Sequence, residues 1–246
     1  MRKILLVLVV LGSMHASLNA QSALTFHVFP QIADGLLPDL SSYYSTIVAL
    51  NTGTKAASCT INLYGAVASH IQTTTMTVAA NGGVAATNTS LTNALLAPLA
   101  TGYGTLTCDQ PVFASAGYFN VAPGLPNFSL LAAATVFSSP ATTRAEVVVV
   151  NTGGFRTAIA IANNTDSAAQ YQITVLNGSG QTVGTTSVSV PGRSNLPKFI
   201  DELVQLPPGL SAGAAIISSA SSPFSVVGLL FNGATFLSIG AAPFGQ

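Results

Sequence analysis

Ile47-Val48-Ala49-Leu50-Asn51 and, 112 residues later, Ile159-Ala160-Ile161-Ala162-Asn163 decide how this chain is read: each is a short apolar, strand-like run closed by asparagine, and the two keep step. Around them the same offset returns Ala56, Ala57, Ile61, Thr73, Thr74, Val78 and Leu91 as Ala168, Ala169, Ile173, Thr185, Thr186, Val190 and Leu203. It also returns Ala100, Pro111, Phe119 and Asn120 as Ala212, Pro223, Phe231 and Asn232. So long a period does not suit a solenoid and fits a duplicated whole domain. The expected organisation is two tandem domains, 24–137 and 144–246, joined by the patternless linker Ser138-Ser139-Pro140-Ala141-Thr142-Thr143.

Within each copy, Val, Ile, Thr and Ala fill short apolar segments about ten residues apart, punctuated by Gly, Pro and Asn, which is the pattern of an all-β sandwich. Strands are predicted at 25–30, 45–50, 58–64, 70–79, 102–108, 112–119 and 127–136, and again at 145–150, 157–162, 170–176, 181–190, 213–219, 224–231 and 235–241. Seven strands in about 100 residues is the size of an antiparallel immunoglobulin-like sandwich. Asn177-Gly178-Ser179-Gly180 supplies the residues of a tight hairpin turn. Ser194 to Leu203 places polar caps and a first-turn proline before Phe199, Ile200 and Leu203, so a short helix is predicted in the second domain, with a weaker counterpart around 90–96.

Met1 to Ala20 joins a basic start (Arg2, Lys3) to the apolar run Ile4–Leu11 and a small residue at Ala20, the order of a signal peptide, with Gln21 first after cleavage. No later stretch approaches the roughly 20 apolar residues a membrane helix needs. The expected location is therefore exported: extracellular, cell-surface or periplasmic, with no transmembrane segment in the mature chain. Cys59 shares strand parity with Ile61 and Leu63, and Cys108 with Leu106, so both thiols are expected in the core of the first domain. Two inward cysteines in an exported domain read as a disulfide. At the same offset the second copy has Tyr171 and Ala220.

Without Arg2 and Lys3, five basic residues (Lys55, Arg144, Arg156, Arg193, Lys198) face seven acidic ones, a net charge of −2. The basic residues are scattered, which argues against nucleic-acid binding. Only His27 and His70 follow the signal, neither near a partner at metal-ligand or triad spacing, so no catalytic residue, metal or cofactor is expected. His27 alternates with Phe26 and Val28 and is assigned to the outer face of the first strand, and His70 to solvent. Asp201 and Glu202 are adjacent, and neighbouring helical residues point about 100 degrees apart, so they read as surface charges.

The first copy carries an insertion the second lacks, Leu36 to Tyr43. Loops on rigid sandwiches are common recognition sites, so Asp34, Asp39, Tyr43 and Tyr44 form the candidate ligand-binding set, with packing over the sandwich end as the plainer reading. Tyr103 and Tyr118 are further aromatic platforms for a sugar.

Two stretches carry a resemblance. His27-Val28-Phe29-Pro30-Gln31-Ile32-Ala33-Asp34-Gly35 is followed by Tyr44 to Asn51, and Thr157 to Asn163 is followed by Phe199-Ile200-Asp201-Glu202-Leu203 and Ser225 to Leu229. In these the chain resembles uncharacterised exported bacterial proteins built of paired β-sandwich modules. The resemblance implies export and a β fold and brings no catalytic residue, cofactor or ligand. The expected function is a non-enzymatic structural or adhesion module at the cell surface or outside the cell, with cell-envelope or extracellular protein or glycan partners, or self-association. A small-ligand or glycan module using residues 36–44 is the alternative, and a hydrolase ranks third.

Overall fold

The computed structural model describes residues 22–66, 69–91, 97–122, 129–233 and 235–243. The signal peptide expected at 1–20, most of the weaker helix around 90–96 and the start of the strand expected at 127–136 lie outside these residues. The first half contains β1 (Leu24–Leu36), β2 (Ser42–Asn51), β3 (Ala57–Gly65), β4 (His70–Val78), β5 (Gly83–Asn88), β6 (Ala100–Val121) and β7 (Leu130–Phe137). The second contains β8 (Arg144–Val150), β9 (Phe155–Asn163), β10 (Ala169–Asn177), β11 (Thr182–Val190), β12 (Ser194–Phe199), one helical turn α1 (Ile200–Leu203), β13 (Ala212–Ser218), β14 (Ser225–Asn232), β15 (Thr235–Ile239) and β16 (Ala242–Pro243). The molecule is all-β, with every named strand pairing antiparallel.

β6 is the spine of the first half. Gly102 to Cys108 pair with β1 and β3, and Phe113 to Val121 pair with β2 and β7. One strand of 22 residues thus does the work of the two expected at 102–108 and 112–119. Pro111, which has no N–H to give a ladder, stands where the partners change. The resulting layers are β4-β3-β6-β1 and β5-β2-β6-β7. The second half repeats this arrangement, as β11-β10-β13-β8 with β16 added at the edge, and β12-β9-β14-β15.

The asparagines that close the opening segments do the same job in each half. The Asn51 amide donates to the carbonyls of Lys55 (2.7 Å) and Val78 (3.2 Å), and its oxygen accepts from Gly53 N–H (2.9 Å). Asn163 donates to Ser167 (2.9 Å) and Val190 (3.0 Å) and accepts from Thr165 N–H (3.1 Å), every partner again 112 residues on. Both side chains are fully buried, so each amide satisfies backbone groups that the corner would otherwise strand.

Three local expectations are corrected. Ser194 to Phe199 form a strand against β9, and only Ile200 to Leu203 are helical. The open ladder of β9 outweighs the capping pattern, and Pro197 is tolerated because β12 is an edge. β5, too short and too rich in Ala and Thr to stand out, was not foreseen. His27 points inward, paired in register with Leu106, and is buried rather than on the outer face.

Cys59 and Cys108 face each other in register on β3 and β6 and form the disulfide, buried in the first core. Tyr171 holds the matching place in the second half, buried edge-on against Phe224 with ring centroids 5.1 Å apart. Its hydroxyl has no hydrogen-bond partner among the described residues. Tyr171→Phe removes that desolvated group at constant shape and is expected to raise stability by about 1 kcal/mol in urea titration, with no change in slope; a loss of stability would reveal a partner for the hydroxyl.

The two halves share a core. β9 and β14 present Ile159, Ile161 and Val226 to their own sandwich, while Ala158, Ala160, Val227 and Leu229 join the first half's cluster with Phe29, Ile32, Ile47 and Tyr118. The small alanines of β9 let the sheet approach closely. Segment 138–143 is tied down as well: Ser139 N–H donates to the Val28 carbonyl, Ser225 hydroxyl donates to the Ser139 carbonyl, and Val226 N–H donates to the Ser139 hydroxyl.

Candidate functional site

The residues of the β1–β2 connection are held by the chain itself. Gly35 has φ of 126°, and a Cβ there would lie 2.6 Å from the Pro98 carbonyl oxygen, so the turn into the insertion requires glycine. Beyond it Leu37 N–H donates to the Ser41 carbonyl and Leu40 N–H to the Leu37 carbonyl, closing a short turn with Leu40 exposed at its tip. Asp39 accepts from Ser41 N–H (3.0 Å) and the Ser41 hydroxyl (2.7 Å), which hold its carboxyl below the usual range.

Asp34 is buried beneath this turn. Its oxygens accept from Ser45 N–H (2.8 Å), Leu91 N–H (3.0 Å) and the Thr89 hydroxyl (3.1 and 3.0 Å). Burial still pushes the carboxyl above the usual range, because desolvation outweighs those hydrogen bonds. The carboxylate thus joins β1, β2 and the segment after β5. Asp34→Ala strands two backbone N–H groups and a hydroxyl and is expected to cost about 3 kcal/mol, read as a lowered denaturation midpoint; a cost under about 1 kcal/mol would mean that water replaces the brace.

Tyr43 and Tyr44 are neighbours on β2 and so point to opposite faces. Tyr43 turns inward, 6.1 Å from the ring of Phe236. Tyr44 is 38% exposed and stacks on Phe119, centroids 4.9 Å apart and planes 15° from parallel. The structure therefore does not gather Asp34, Asp39, Tyr43 and Tyr44 around one point. Tyr103 and Tyr118 are buried: the Tyr103 hydroxyl donates to Asn164 (3.0 Å) and the Tyr118 hydroxyl to the Gln31 carbonyl. Neither is a platform for a sugar. Their hydroxyl pKa values are driven upward, first by desolvation.

His27 shows the same inward use of polar chemistry. Its Nε2–H donates to the carbonyls of Leu24 and Val112 (3.0 Å each), and Nδ1 accepts from the Ser138 hydroxyl (2.8 Å). Burial lowers its pKa, partly offset by the two carbonyls. Because the folded value is depressed, the neutral ring's contribution is complete above the ordinary value of 6.5 and is lost as pH falls through the folded value. Asp34, with a raised pKa, acts in the opposite sense, favouring the folded state as pH falls. Between pH 7.5 and 5, wild-type stability is expected to fall more than that of His27→Gln; equal slopes would remove His27 from the acid response.

A second place was not foreseen. A shallow cleft of about 210 Å³ lies on the β9-β12-β14 sheet where the first half ends, lined by Gln31, Ala158, Pro197, Phe199, Leu229 and Phe231. Arg156 lies 3.9 Å above the Phe199 ring and binds Asp201 through two hydrogen bonds (2.9 and 2.7 Å), while Lys198 pairs with Glu202 at 3.2 Å. Phe199 and Phe231 meet edge to face at 5.2 Å. The chemistry is an apolar floor with a rim of mutually satisfied charges, smaller than the 300–1,000 Å³ typical of ligand pockets. The Asp201–Glu202 pair was legible in the sequence; Arg156 was not linked to it, because the contact spans 45 residues and depends on β12 lying beside β9.

No protein-family model matches the chain, and no curated protein does. The solved structure of Thermotoga maritima 1070 is similar over 47% of this chain and 93% of its own, at 13% identity and a TM-score of 0.33. The exo-chitosanase CsxA of Amycolatopsis orientalis is similar over 87% of this chain at 15% identity and a TM-score of 0.26. A β-glucuronidase from glycoside hydrolase family 2 is similar over 89% at 9% identity and a TM-score of 0.20. This chain spans 26% of the chitosanase chain and 23% of the glucuronidase chain. Likeness at these scores carries nothing about activity.

Proposed function

We propose that the chain is an exported, non-enzymatic protein of two tandem immunoglobulin-like sandwiches, serving as a structural or adhesion module at the cell surface or outside the cell. The observation that carries this reading is the shared core. Ala158, Ala160, Val227 and Leu229 of the second half join the cluster of Phe29 and Ile32 of the first, so the halves pack through a common core. The buried polar groups support it too: Asp34, Asn51, His27 and Asn163 spend their hydrogen bonds on the chain's own backbone and hydroxyls. The disulfide suits an oxidising compartment, and no helix among the described residues is long and apolar enough to cross a membrane.

The test is sedimentation of purified protein with isolated cell-envelope fragments. Saturable co-sedimentation, lost when the fragments are treated with protease or with glycan-degrading enzymes, supports the module reading and identifies the class of partner; protein left wholly in the supernatant removes it. One observation favours the ligand-binding alternative, the exposed Tyr44 ring backed by Phe119. On a glycan array that reading requires a signal that Tyr44→Ala abolishes.

A further inference from the structure

The sheet β12-β9-β14-β15 is covered on both faces, by its own sandwich and by the first half. Among the described residues, the sheet with the same strand order in the first half, β5-β2-β6-β7, packs core residues on one face only. Ile47, Ala49, Ala114 and Ala116 turn inward. On the other face Tyr44, Val48, Leu50, Phe113, Phe119 and Val84 reach solvent in part or wholly, with Val84 63% exposed. Residues 42–51, 83–88, 113–121 and 130–137 contain no Asp, Glu, Lys, Arg or His.

The offset of 112 shows what this face corresponds to. Val48, Ser115, Gly117 and Phe119 match Ala160, Val227, Leu229 and Phe231, the side of the second sheet that packs against the first half. One half thus buries this face inside the molecule and the other leaves it open. The open side of the first sandwich is taken by β9 and β14, and along β8 the second is closed by β16, with Ala241 packed on its core.

We propose that this face is a self-association surface, on which a second copy of the chain stacks its own β5-β2-β6-β7 face about a twofold axis. A face without charge meets its copy with neither like-charge repulsion nor a buried unpaired ion, and a twofold contact uses the same patch on both partners. Two such sheets pack about 10 Å apart with strand directions within about 30°. Apolar surface of this kind on a soluble protein marks a contact site. Association through this face does not depend on whether the protein adheres to an envelope.

The experiment is light scattering on the eluting peak of the purified protein, from about 1 μM to 1 mM. The expected result is a mass that doubles with concentration. Val48→Glu, near the centre of the face, is expected to weaken association at least tenfold, and Val84→Glu, at a position too exposed to affect folding, to weaken it less. Mixing Val48→Glu with Val48→Lys restores the dimer, which loss through misfolding would not allow. Val148→Glu, exposed on the far sheet of the second half, leaves association unchanged. A monomer at 1 mM overturns the proposal, as does a dimer indifferent to both face variants. Retention of a monomer on a neutral polysaccharide matrix, abolished by Val48→Glu, assigns the face to a glycan instead and also overturns it.

Discussion

Replacing Cys59 and Cys108 together by alanine is expected to lower stability by about 4 kcal/mol. The bond joins residues 49 apart in sequence, and a loop of that length restricts the unfolded chain by about this amount on the chain-entropy account. The bond also lies across the spine of the first half, linking β3 to β6 just before β6 passes from one sheet to the other. Its loss leaves two adjacent buried positions underfilled in the cluster that also holds Ile61, Leu106 and Val112. For a protein of this size the thermal midpoint should fall by roughly 10 °C. Circular dichroism melts of the double variant and of reduced wild type are the check, and both should agree. A shift under about 2 °C would show that the strands hold register without the bond.

Ala160→Glu is the larger perturbation. Ala160 is wholly buried, on the face of β9 that completes the first half's core, and the described charged residues nearest along its own sheet, Arg156, Lys198, Asp201 and Glu202, already pair among themselves. A carboxylate there is desolvated and unpaired, so the cost is expected to exceed about 4 kcal/mol. What distinguishes a shared core from two independent domains is where the loss appears. Amide exchange should rise together at Ile61 and Leu63 in β3 and at Ile173 and Val175 in β10, although no residue of β3 was changed. Exchange that rises in the second half alone would separate the halves as folding units.

The same contrast explains why the candidate site was only partly legible. Asp34 stood out as an acidic residue beside a glycine, a pattern that serves equally for a ligand and for a turn. The choice was made by Ser45 on β2 and by Thr89 and Leu91 just after β5, which converge on its oxygens. Tyr43 and Tyr44 were legible as aromatic residues near an insertion, and the period of two that sends them apart was legible as well. Their partners, Phe236 and Phe119, were not. His27 gave no sign of burial, because alternation told which neighbours share its face and nothing about which face is covered.

By itself the sequence determined what depends on short range and on spacing. The alternation in Ala57–Gly65 and Ala169–Asn177 set strands and faces, the parity of Cys59 and Cys108 set a shared interior, and the offset of 112 made Asn51 and Asn163 equivalent positions. Only the tertiary structure decided what covers a face. Thr157 to Asn163 are buried without a break, so β9 has an apolar environment on both sides. A strand can signal that it is covered twice, but the identity of the cover is a matter of packing between elements 100 residues apart. The same holds for β12, where an open ladder on β9 overrode local helix signals, and for Asn195, whose amide reaches the carbonyls of Pro30 and Gly102 across the junction. Local preferences are worth tenths of a kcal/mol per residue, whereas a completed ladder and a buried face are worth several. These stronger interactions join residues far apart in the chain, which is why a single sequence does not display them.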